Sequence, residues 1–233
     1  MAIDYIELPI IDSTNTWAKE HSDELHPDPL ICITANSQTS GRGRYKRTWQ
    51  SPPDTNLYAT FCFYLPPTFT AAHNLAQVLS ISTIRVLKKL GLKPKIKWPN
   101  DILLNGKKCA GMLCEISQPL AIIGIGLNIN MQSCDEIDQP ATSLIIESGQ
   151  EFSILAIRNQ LAEQFLDDLN LYLKSGFDPF FHEYEQNLAY LGETITCTVS
   201  GEKITGVFEK LLPDGRILMR LPDGSEKPLT EGP

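Results

Sequence analysis

The residues with the clearest chemical potential form one short cationic run, residues 41–49, which read GRGRYKRTW. The run holds four cations, two glycines and no acid, although the whole chain carries a net charge of -8. Glycines let backbone N–H groups approach a ligand closely, and arginines bind carboxylates and phosphates through paired hydrogen bonds. The run therefore indicates a site for an anionic small molecule, the alternative being a solvated, charged surface loop.

Three other motifs add polar and glycine-rich segments. Residues 12–15 read DSTN, residues 97–101 read KWPND, and residues 124–130 read GIGLNIN. After KWPND, an Asn105-Gly106 turn leads into residues 107–115, which read KKCAGMLCE. In this order and spacing, the motifs resemble the signature set of the biotin protein ligases, and the resemblance covers nearly the whole chain.

This resemblance implies a two-step reaction. The carboxylate of biotin attacks the α-phosphate of ATP, which gives biotinyl-5′-AMP and pyrophosphate. The ε-amine of a lysine on a biotin carboxyl carrier protein domain, as in acetyl-CoA carboxylase, then displaces AMP. Mg²⁺ is expected to be held mainly by the ATP phosphates, without a protein-only metal site. Such chemistry needs cations and backbone donors that are preorganised in a site closed to water.

The resemblance also implies roles for individual residues. Lys108 and Arg42 are expected to be catalytic, with Lys108 beside the biotin carboxylate and Arg42 near the carboxylate and α-phosphate. The expected biotin-binding residues are Ser13, Thr14, Asn15, Gln38, Gly41, Arg42, Gly43, Arg44, Lys108 and Gly111. The expected ATP-binding residues are Arg44, Arg47, Trp49, Lys97, Asn100 and Asn128.

Several of these residues also have purely structural explanations. Ser13 and Thr14 are good helix caps, and a lone tryptophan such as Trp49 is often a core residue. The glycines of the later motifs either permit close approach of a ligand or mark strand bulges. Because side chains alternate along a strand, Lys107 is expected on the face opposite Lys108 and in solvent.

Composition excludes several classes of protein. No apolar run approaches the roughly 20 residues that a membrane helix needs, and the first residues lack the features of a secretory signal. The six cysteines are scattered and include no Cys-x-x-Cys pair, so they indicate reduced thiols in a cytoplasmic protein rather than disulfides. With a pI near 5.0 and one basic loop, the chain is not expected to bind nucleic acid.

The pattern of apolar residues predicts a catalytic domain over residues 1–187. Strands are predicted at 5–11, 30–35, 56–65, 95–98, 102–104, 107–116 and 120–128. Helices are predicted from residue 13 or 14 to 21, and at 70–90, 153–174 and 179–186. The Asn105-Gly106 turn and the short connections between strands require antiparallel neighbours.

Residues 188–233 are predicted to form a small C-terminal β domain. Short strands at 194–199, 203–212, 216–221 and 225–229 are separated by turns at 200–201, 213–215 and 222–224. The predicted fold is α+β: a mixed, mainly antiparallel sheet flanked by helices, similar to class II synthetases and the biotin ligase catalytic domain, with an SH3-like C-terminal barrel.

Other functions remain open on the sequence alone. A lipoate or octanoate ligase or transferase of the same superfamily is the nearest alternative, and a non-enzymatic biotin sensor is another. The chain begins close to its first predicted strand, so the DNA-binding domain of the bifunctional family members is expected to be missing. It ends at residue 233, which leaves open a nucleotide contact from the last strand. A monomer and a homodimer are both compatible with the sequence.

Overall fold

A seven-stranded mixed sheet forms the centre of the computed structural model, which describes residues 2–66, 69, 72–199, 201–230 and 232. Its strands lie in the order β1-β2-β3-β7-β6-β5-β4. β1 and β2 are parallel, and the other neighbouring pairs are antiparallel. The strands are β1 (Ile3–Ile11), β2 (Leu30–Gln38), β3 (Leu57–Tyr64), β4 (Lys95–Lys97), β5 (Asp101–Leu104), β6 (Lys107–Ser117) and β7 (Leu120–Leu127).

Helices cover the two faces of this sheet unequally. The helices are α1 (Thr14–Glu20), α2 (Leu75–Lys89), α3 (Leu144–Ser148), α4 (Ile154–Ser175) and α5 (Asp178–Gln186). Apolar residues of α2, α4 and α5 join the main core, whereas α1 covers a smaller cluster on the opposite face. β2 shows the alternation, because Leu30 and Cys32 enter the main core while Ile31 and Ile33 enter the smaller one. The smaller cover by α1 leaves room for a cavity on its side.

The predicted elements are largely confirmed, and the mainly antiparallel sheet flanked by helices is as expected. The helix predicted over 70–90 begins later, because Ala72–Asn74 forms a 3-10 turn before α2, and residues 70 and 71 lie outside the described residues. Gly91 ends α2 with a φ of 81°, the left-handed conformation that glycine adopts most easily. Helix α3 was not predicted; the Ser143 side chain caps it by accepting from the Ile146 N–H.

The C-terminal segment forms a four-stranded antiparallel sheet of β8 (Thr194–Val199), β9 (Glu202–Leu211), β10 (Ile217–Arg220) and β11 (Glu226–Leu229). Its order, β11-β10-β9-β8, is open, so the predicted SH3-like barrel is not confirmed. The sheet stays open because its inner face packs against the main core of the molecule. Buried residues such as Cys197, Phe208 and Met219 belong to the same core as α2 and the main sheet. The sheet therefore buries its apolar face without closing on itself.

One turn fixes the C-terminal sheet to the rest of the molecule. The Gly215 carbonyl accepts hydrogen bonds from Gln77 Nε2 at 2.7 Å and from Trp98 Nε1 at 2.9 Å. Asn74 Nδ2 donates to the Asp214 carbonyl at 3.0 Å. Because Trp98 also belongs to the KWPND motif, the position of this turn is coupled to the position of that motif.

Candidate active site

A cavity of about 540 Å³ opens on the face of the main sheet that carries α1. Its floor includes Gly111, Gly124 and Gly126, which alternate along β6 and β7 with residues of the main core. Residues from every motif line it, and its polar and aromatic side chains include Ser13, Thr14, Asn15, Gln38, Arg42, Arg44, Arg47, Trp49, Trp98, Asn100, Asp101 and Lys108. The fold therefore brings most of the predicted site residues together.

Neutral polar side chains form one end of the cavity. The Thr14 N–H donates to Gln38 Oε1 at 2.9 Å, and Gln38 Nε2 donates to Ser51 Oγ at 2.9 Å. Thr60 Oγ1 lies 2.7 Å from both Thr14 Oγ1 and Asn15 Oδ1. Thr14, Asn15 and Thr60 are buried, so each hydroxyl and amide is held in a fixed orientation by its neighbours. This end can recognise a neutral polar group without first reorganising.

Ser13 occupies the N-cap position of α1, as the capping interpretation predicts. Its side chain, however, makes no capping hydrogen bond, and the Ser13 N–H donates to Asp12 Oδ1 at 2.6 Å. The residue is 2% exposed and lines the cavity. The serine hydroxyl is therefore not used to satisfy the helix end.

The glycines of the floor make space for protein side chains. A β-carbon on Gly124 would overlap the carboxamide of Asn15, and one on Gly126 would overlap the indole of Trp49. A β-carbon on Gly111 would lie 3.1 Å from both Lys108 Nζ and Asp101 Oδ1. The absence of side chains at these positions thus lets the residues that line the cavity pack directly on the sheet.

The cationic run forms a hairpin beside the cavity. Arg42 and Thr48 form a β-bridge, the Gly43 N–H donates to the Arg47 carbonyl at 2.7 Å, and the Trp49 N–H donates to the Gly41 carbonyl at 2.8 Å. Gly41 lines a second, adjacent cavity, and a β-carbon there would overlap the Trp49 carbonyl. Backbone hydrogen bonds therefore define the loop even without a ligand.

The tip of this hairpin is a two-residue turn. Tyr45 and Lys46 have φ values of 56° and 61°, and the Arg47 N–H closes the turn on the Arg44 carbonyl at 3.1 Å. Positive φ at both central residues is the feature of turns that match the twist of a β-hairpin. The turn directs the flanking arginines toward the cavity.

Two arginines connect the hairpin to two neighbouring strands of the main sheet. Arg42 pairs with Glu115 through Nη2 to Oε1 at 2.8 Å and Nη1 to Oε2 at 3.0 Å. Arg44 Nη1 donates to Asn100 Oδ1 at 2.9 Å, and Asn100 Nδ2 in turn donates to the Met112 carbonyl at 2.8 Å. Both arginines line the cavity while they make these contacts.

The Glu115 carboxylate is kept ionised by its surroundings. Its partial burial would raise its pKa, but the hydrogen bonds from Arg42 and Asn15 and the charges of Arg42 and Lys19 lower it, and the pKa lies below its ordinary value. The Arg42–Glu115 contact is therefore an ion pair at neutral pH.

Lys108 lies on the floor of the cavity at its cationic end. Its Nζ is 2.8 Å from Asp101 Oδ1 and 5.4 Å from the centroid of the Trp49 ring. Both members of the Lys108–Asp101 pair are largely buried, with 17% and 15% of their side chains exposed. Asp101 Oδ1 has no partner with hydrogen-bond geometry among the described residues.

Lys108 thus presents a charge inside the cavity, whereas Lys107 is exposed, as predicted. The strand is not regular here, because the β5–β6 register shifts between Ile102 and Leu103, and Lys108 and Gly111 therefore both line the cavity although they are three residues apart.

Two residues expected at the nucleotide do not line the cavity. Asn128 is 2% exposed, and its Nδ2 donates to the Thr142 carbonyl at 3.0 Å, so its amide fixes the segment that leads to α3. Lys97 is half-buried at the end of β4. Burial and the nearby Lys108 and Arg47 charges lower its pKa, and the Asp101 charge opposes them. Lys97 can influence the field in the cavity, but the structure gives no geometric support for a contact by Asn128.

The C-terminal sheet and its tail also line the cavity. Thr198 and Gly201 lie at the turn between β8 and β9, and Gly232 packs against the Trp98 carbonyl. No site residue was predicted after position 128. The C-terminal residues that line the cavity are threonine and glycine, which carry no distinctive chemistry by type alone. Residues 200, 231 and 233, which belong to the predicted turn and tail, lie outside the described residues.

Two further residues of the site were not predicted. Thr60 lies within a strand of otherwise apolar residues, and its single hydroxyl was not distinguished from the core around it. Glu115 ends the KKCAGMLCE motif, and its spacing of two residues from Leu113, which lines the cavity, was the available signal that both share one face of β6.

The described residues contain no group of three or more His, Cys, Asp or Glu side chains that could bind a metal ion. Of the acidic side chains in the described part of the chain, one lines the cavity, that of Asp101. Among the same residues, none of the helices is both long and apolar enough to cross a membrane.

The α+β fold thus places neutral polar side chains and cations in one cavity, an arrangement that suits a ligand with a neutral polar group and an anionic group. Comparison with known proteins agrees. A family model described as the biotin/lipoate A/B protein ligase family matches residues 7–130. The bifunctional ligase/repressor BirA of Escherichia coli (strain K12) is 32% identical over 237 residues, which cover 97% of this chain and 71% of that protein.

Relatives that match over nearly their whole length give the same result. The biotin–[acetyl-CoA-carboxylase] ligase of Paracoccus denitrificans is 28% identical and covers 92% of this chain and 93% of that protein. The biotin protein ligase of Aquifex aeolicus, solved in complex with biotin and ATP, superposes with a TM-score of 0.88 at 29% identity and covers 98% of this chain and 96% of that one. The chain belongs to the biotin/lipoate A/B protein ligase family, so the resemblance of its motifs is confirmed.

Proposed function

We propose that this protein is an ATP-dependent biotin protein ligase that forms biotinyl-5′-AMP and transfers biotin to a lysine of a biotin carboxyl carrier protein domain. The observation that carries this proposal is the division of one cavity into a neutral hydrogen-bonding end and a cationic end. Biotin has the same division, with a ureido ring at one end and a carboxylate at the other. The named activities of the relatives support the same assignment.

The neutral end would bind the ureido ring. Ser13, Thr14, Asn15 and Gln38 supply hydroxyl and amide groups, and Thr60 orients two of them. A buried urea carries donors and an acceptor, each of which is costly to leave unpaired. Side chains that already hold one another in place would bind it without a large loss of conformational entropy.

The cationic end would support adenylation. The biotin carboxylate must approach the α-phosphate of ATP, and one of its oxygens forms the new O–P bond while pyrophosphate leaves. Lys108 would stand beside that carboxylate, and Arg42 and Gly43 would complete the wall. Gly41, which lines the adjacent cavity, would support them from the base of the hairpin. Charges fixed in a site with little water stabilise the transition state, where negative charge accumulates on the phosphoryl oxygens.

The nucleotide would lie between the hairpin and the KWPND motif. Trp49 offers a flat apolar surface for adenine, and Arg44, Arg47 and Asn100 line the adjoining wall. Lys97 would act through its charge from outside the wall. Mg²⁺ fits this site as an ion held mainly by ATP phosphates, since Asp101 is a single carboxylate and Mg²⁺ commonly uses one or two protein carboxylates. Bound there, Mg²⁺ would neutralise charge on the phosphates.

In the second step, the carrier lysine would attack the acyl carbon of biotinyl-5′-AMP. The C–N bond forms, AMP leaves with the bonding electrons of the acyl–oxygen bond, and the amine loses a proton. The Gly41 and Gly43 hairpin would exclude water from this mixed anhydride until the carrier arrives. Residues 1–187 would form the catalytic domain, and residues 188–233 a second domain that completes the nucleotide end. We propose a cytoplasmic enzyme, active as a monomer or homodimer, without a nucleic-acid partner.

Biotin-dependent exchange of labelled pyrophosphate into ATP tests this proposal, because it requires the first step but no carrier. We expect exchange with biotin and none with lipoate or octanoate. Transfer of labelled biotin to a purified carrier domain, and not to the same domain with its target lysine replaced by arginine, tests the second step. Exchange that depends on lipoate or octanoate would contradict the assignment, and binding of biotin without any exchange would indicate a sensor.

A further inference from the structure

Glu115 contacts both functional ends of the cavity, although no role is assigned to it above. Its Oε2 accepts from Asn15 Nδ2 at 3.1 Å and from Arg42 Nη1 at 3.0 Å. Its Oε1 accepts from Arg42 Nη2 at 2.8 Å. One carboxylate thus links a side chain of the neutral polar end to the first arginine of the hairpin.

The geometry of this pair leaves Arg42 free to bind a ligand. The two contacts use one N–H from each terminal nitrogen, and a guanidinium group has five N–H donors in all. Three donors therefore remain, and Arg42 lines the cavity while it is paired. An arginine held in this way can present fixed donors to an anion, as side chains that orient ligand-binding groups do.

The same contact restrains the hairpin. Backbone hydrogen bonds close residues 41–49 on themselves, but the arginine side chains connect them to other strands. Arg42 reaches Glu115 on β6, and Arg44 reaches Asn100 just before β5. Trp49 also packs on Gly126 of β7, so loss of either arginine contact would loosen the hairpin away from Trp49 without breaking its internal hydrogen bonds.

We propose that Glu115 is a positioning residue that orients the Arg42 guanidinium toward the anionic end of the ligand and keeps the hairpin aligned with Asn15. The identity of that ligand rests on the proposed function. The anchoring of the hairpin does not, because it concerns the free protein. Glu115 would not touch biotin or ATP; it acts through Arg42 and Asn15.

The test compares Glu115→Gln with Glu209→Gln. Both changes remove one carboxylate charge without changing side-chain size, and Glu209 forms only an exposed pair with Arg220 on the C-terminal sheet, at 3.6 Å. We expect Glu115→Gln to raise the KM for biotin in pyrophosphate exchange about fivefold, with kcat changed less than about twofold, because the cost of ordering Arg42 and the hairpin then weakens binding. Glu209→Gln should match the unmodified protein.

Two further readouts separate this role from a general structural one. Hydrogen exchange of the amides in residues 41–49 should be faster in ligand-free Glu115→Gln than in the unmodified protein. In an Arg42→Ala background, Glu115→Gln should raise the KM for biotin much less, because only the contact with Asn15 then remains.

The proposal would be overturned by unchanged hydrogen exchange in the hairpin of Glu115→Gln. It would also be overturned if Glu115→Gln raised the KM for biotin as much in the Arg42→Ala background as in the unmodified protein. Absence of biotin-dependent activity in the unmodified protein would instead overturn the proposed function. Hydrogen exchange of the hairpin amides would still test whether the Arg42–Glu115 contact anchors the hairpin.

Discussion

The carboxamide of Asn15 occupies the space that a side chain on Gly124 would require. Thr60, which is paired in register with Gly124 on the neighbouring strand, contacts Asn15 Oδ1 at 2.7 Å. Asn15 Nδ2 donates to the Leu113 carbonyl at 3.2 Å. Three strands thus fix the orientation of one side chain, and the glycine is as necessary for this orientation as the hydrogen bonds are.

Gly124→Ala should therefore weaken biotin binding by displacing Asn15. Overpacking a buried site costs about 1–3 kcal/mol, and we expect thermal unfolding to show a loss of stability of this size. The KM for biotin in pyrophosphate exchange should rise about tenfold or more, since a polar group of the binding site is misplaced. Thermal denaturation and initial-rate kinetics measure the two effects.

The double variant Gly124→Ala/Asn15→Ala provides the control. Removal of the Asn15 carboxamide relieves the overlap, so stability should partly return while the KM for biotin stays high. If the double variant were as unstable as the sum of the two single variants, the clash with Asn15 would not be the cause.

Lys108→Ala and Lys107→Ala form a matched pair on adjacent residues. Lys108 projects into the cavity beside Asp101, and Lys107 is exposed. Loss of a charge used mainly in the transition state should lower the kcat of pyrophosphate exchange by about a hundredfold or more for Lys108→Ala. Lys107→Ala should stay within about twofold, because an exposed cation contributes little. A larger loss for Lys107→Ala would contradict the assigned strand faces.

Two Pro-Asp-Gly turns test how the C-terminal sheet is attached. Gly215 and Gly224 have φ values of 82° and 84°, but a β-carbon on Gly215 would overlap Asn74 and Gln77, whereas one on Gly224 meets nothing within 4 Å. Gly224→Ala should cost about 1 kcal/mol for the left-handed backbone alone. Gly215→Ala should cost about 3 kcal/mol, because overpacking adds to that strain. Chemical denaturation measures both.

Gly215→Ala should also lower the rate of biotin-dependent pyrophosphate exchange, because the Gly215 carbonyl accepts the hydrogen bond that holds Trp98 at the cavity. Equal unfolding free energies for Gly215→Ala and Gly224→Ala would show that the turn is not tightly docked. The same contacts predict the effect of a truncation after residue 190. Since the inner face of the C-terminal sheet belongs to the main core, we expect such a truncation to expose apolar surface and unfold more easily.

Local signals predicted the elements that depend on few residues. The Asn105-Gly106 hairpin forms with φ values of 47° and 77°, and Ser153 caps α4 by accepting from the Ala156 N–H. These features require only neighbours in sequence, so residue type is sufficient to predict them. The barrel prediction was not confirmed: closure depends on what covers the inner face of the sheet, and short strands with turns are equally typical of an open sheet.

Most polar residues of the sequence motifs line the cavity, so these site residues could be predicted from the sequence. Residues whose role depends on contacts between strands could not. Asn128 lies in a glycine-rich motif, but it follows β7 and its amide turns toward the Thr142 carbonyl. Thr60 and Glu115 matter through contacts across strands, and no pattern along the chain records such contacts. A single polar residue inside an apolar strand was the one signal for Thr60.

Cysteine alkylation tests the prediction of reduced thiols. Burial raises the pKa of Cys32 and Cys114 to about 12 and that of Cys197 to about 11, and it also raises the pKa values of the buried Cys62 and Cys109. These thiols should react slowly with iodoacetamide at pH 8 in the folded protein. Cys114 and Cys134 are both partly exposed, and burial and the Asp135 charge raise the pKa of Cys134 as well. Cys134 should nevertheless react first, because the pKa of Cys114 is raised to about 12.

Mass spectrometry should therefore show one fast modification in the folded protein and six after unfolding without reductant. Cys134→Ser should remove the fast modification. Fewer than six modifications after unfolding would indicate a disulfide and contradict the assignment of free thiols.

Arg44→Gly should loosen the hairpin more than it impairs adenylation. Arg44 connects the hairpin to Asn100 at 2.9 Å, whereas Arg42 and Lys108 remain to support the first step. A hairpin that opens more often admits water and releases the mixed anhydride before the carrier binds. We expect pyrophosphate exchange within about tenfold of the unmodified rate, because only one of the site cations is lost, together with greater release of biotinyl-5′-AMP and labelling of exposed lysines on an unrelated protein.

Lys46→Asn is the matched control for this change. It removes a cation from the same hairpin, but Lys46 lies at the exposed tip with a φ of 61°, a conformation that asparagine tolerates. Its biotinyl-5′-AMP release should resemble that of the unmodified protein. Hydrogen exchange across residues 41–49 should be faster in ligand-free Arg44→Gly than in Lys46→Asn, and biotin with ATP should increase protection in both. Equal exchange with and without these ligands in the unmodified protein would show that the hairpin is rigid and preformed, and it would rule out a closing role for the anchor that Arg44 makes.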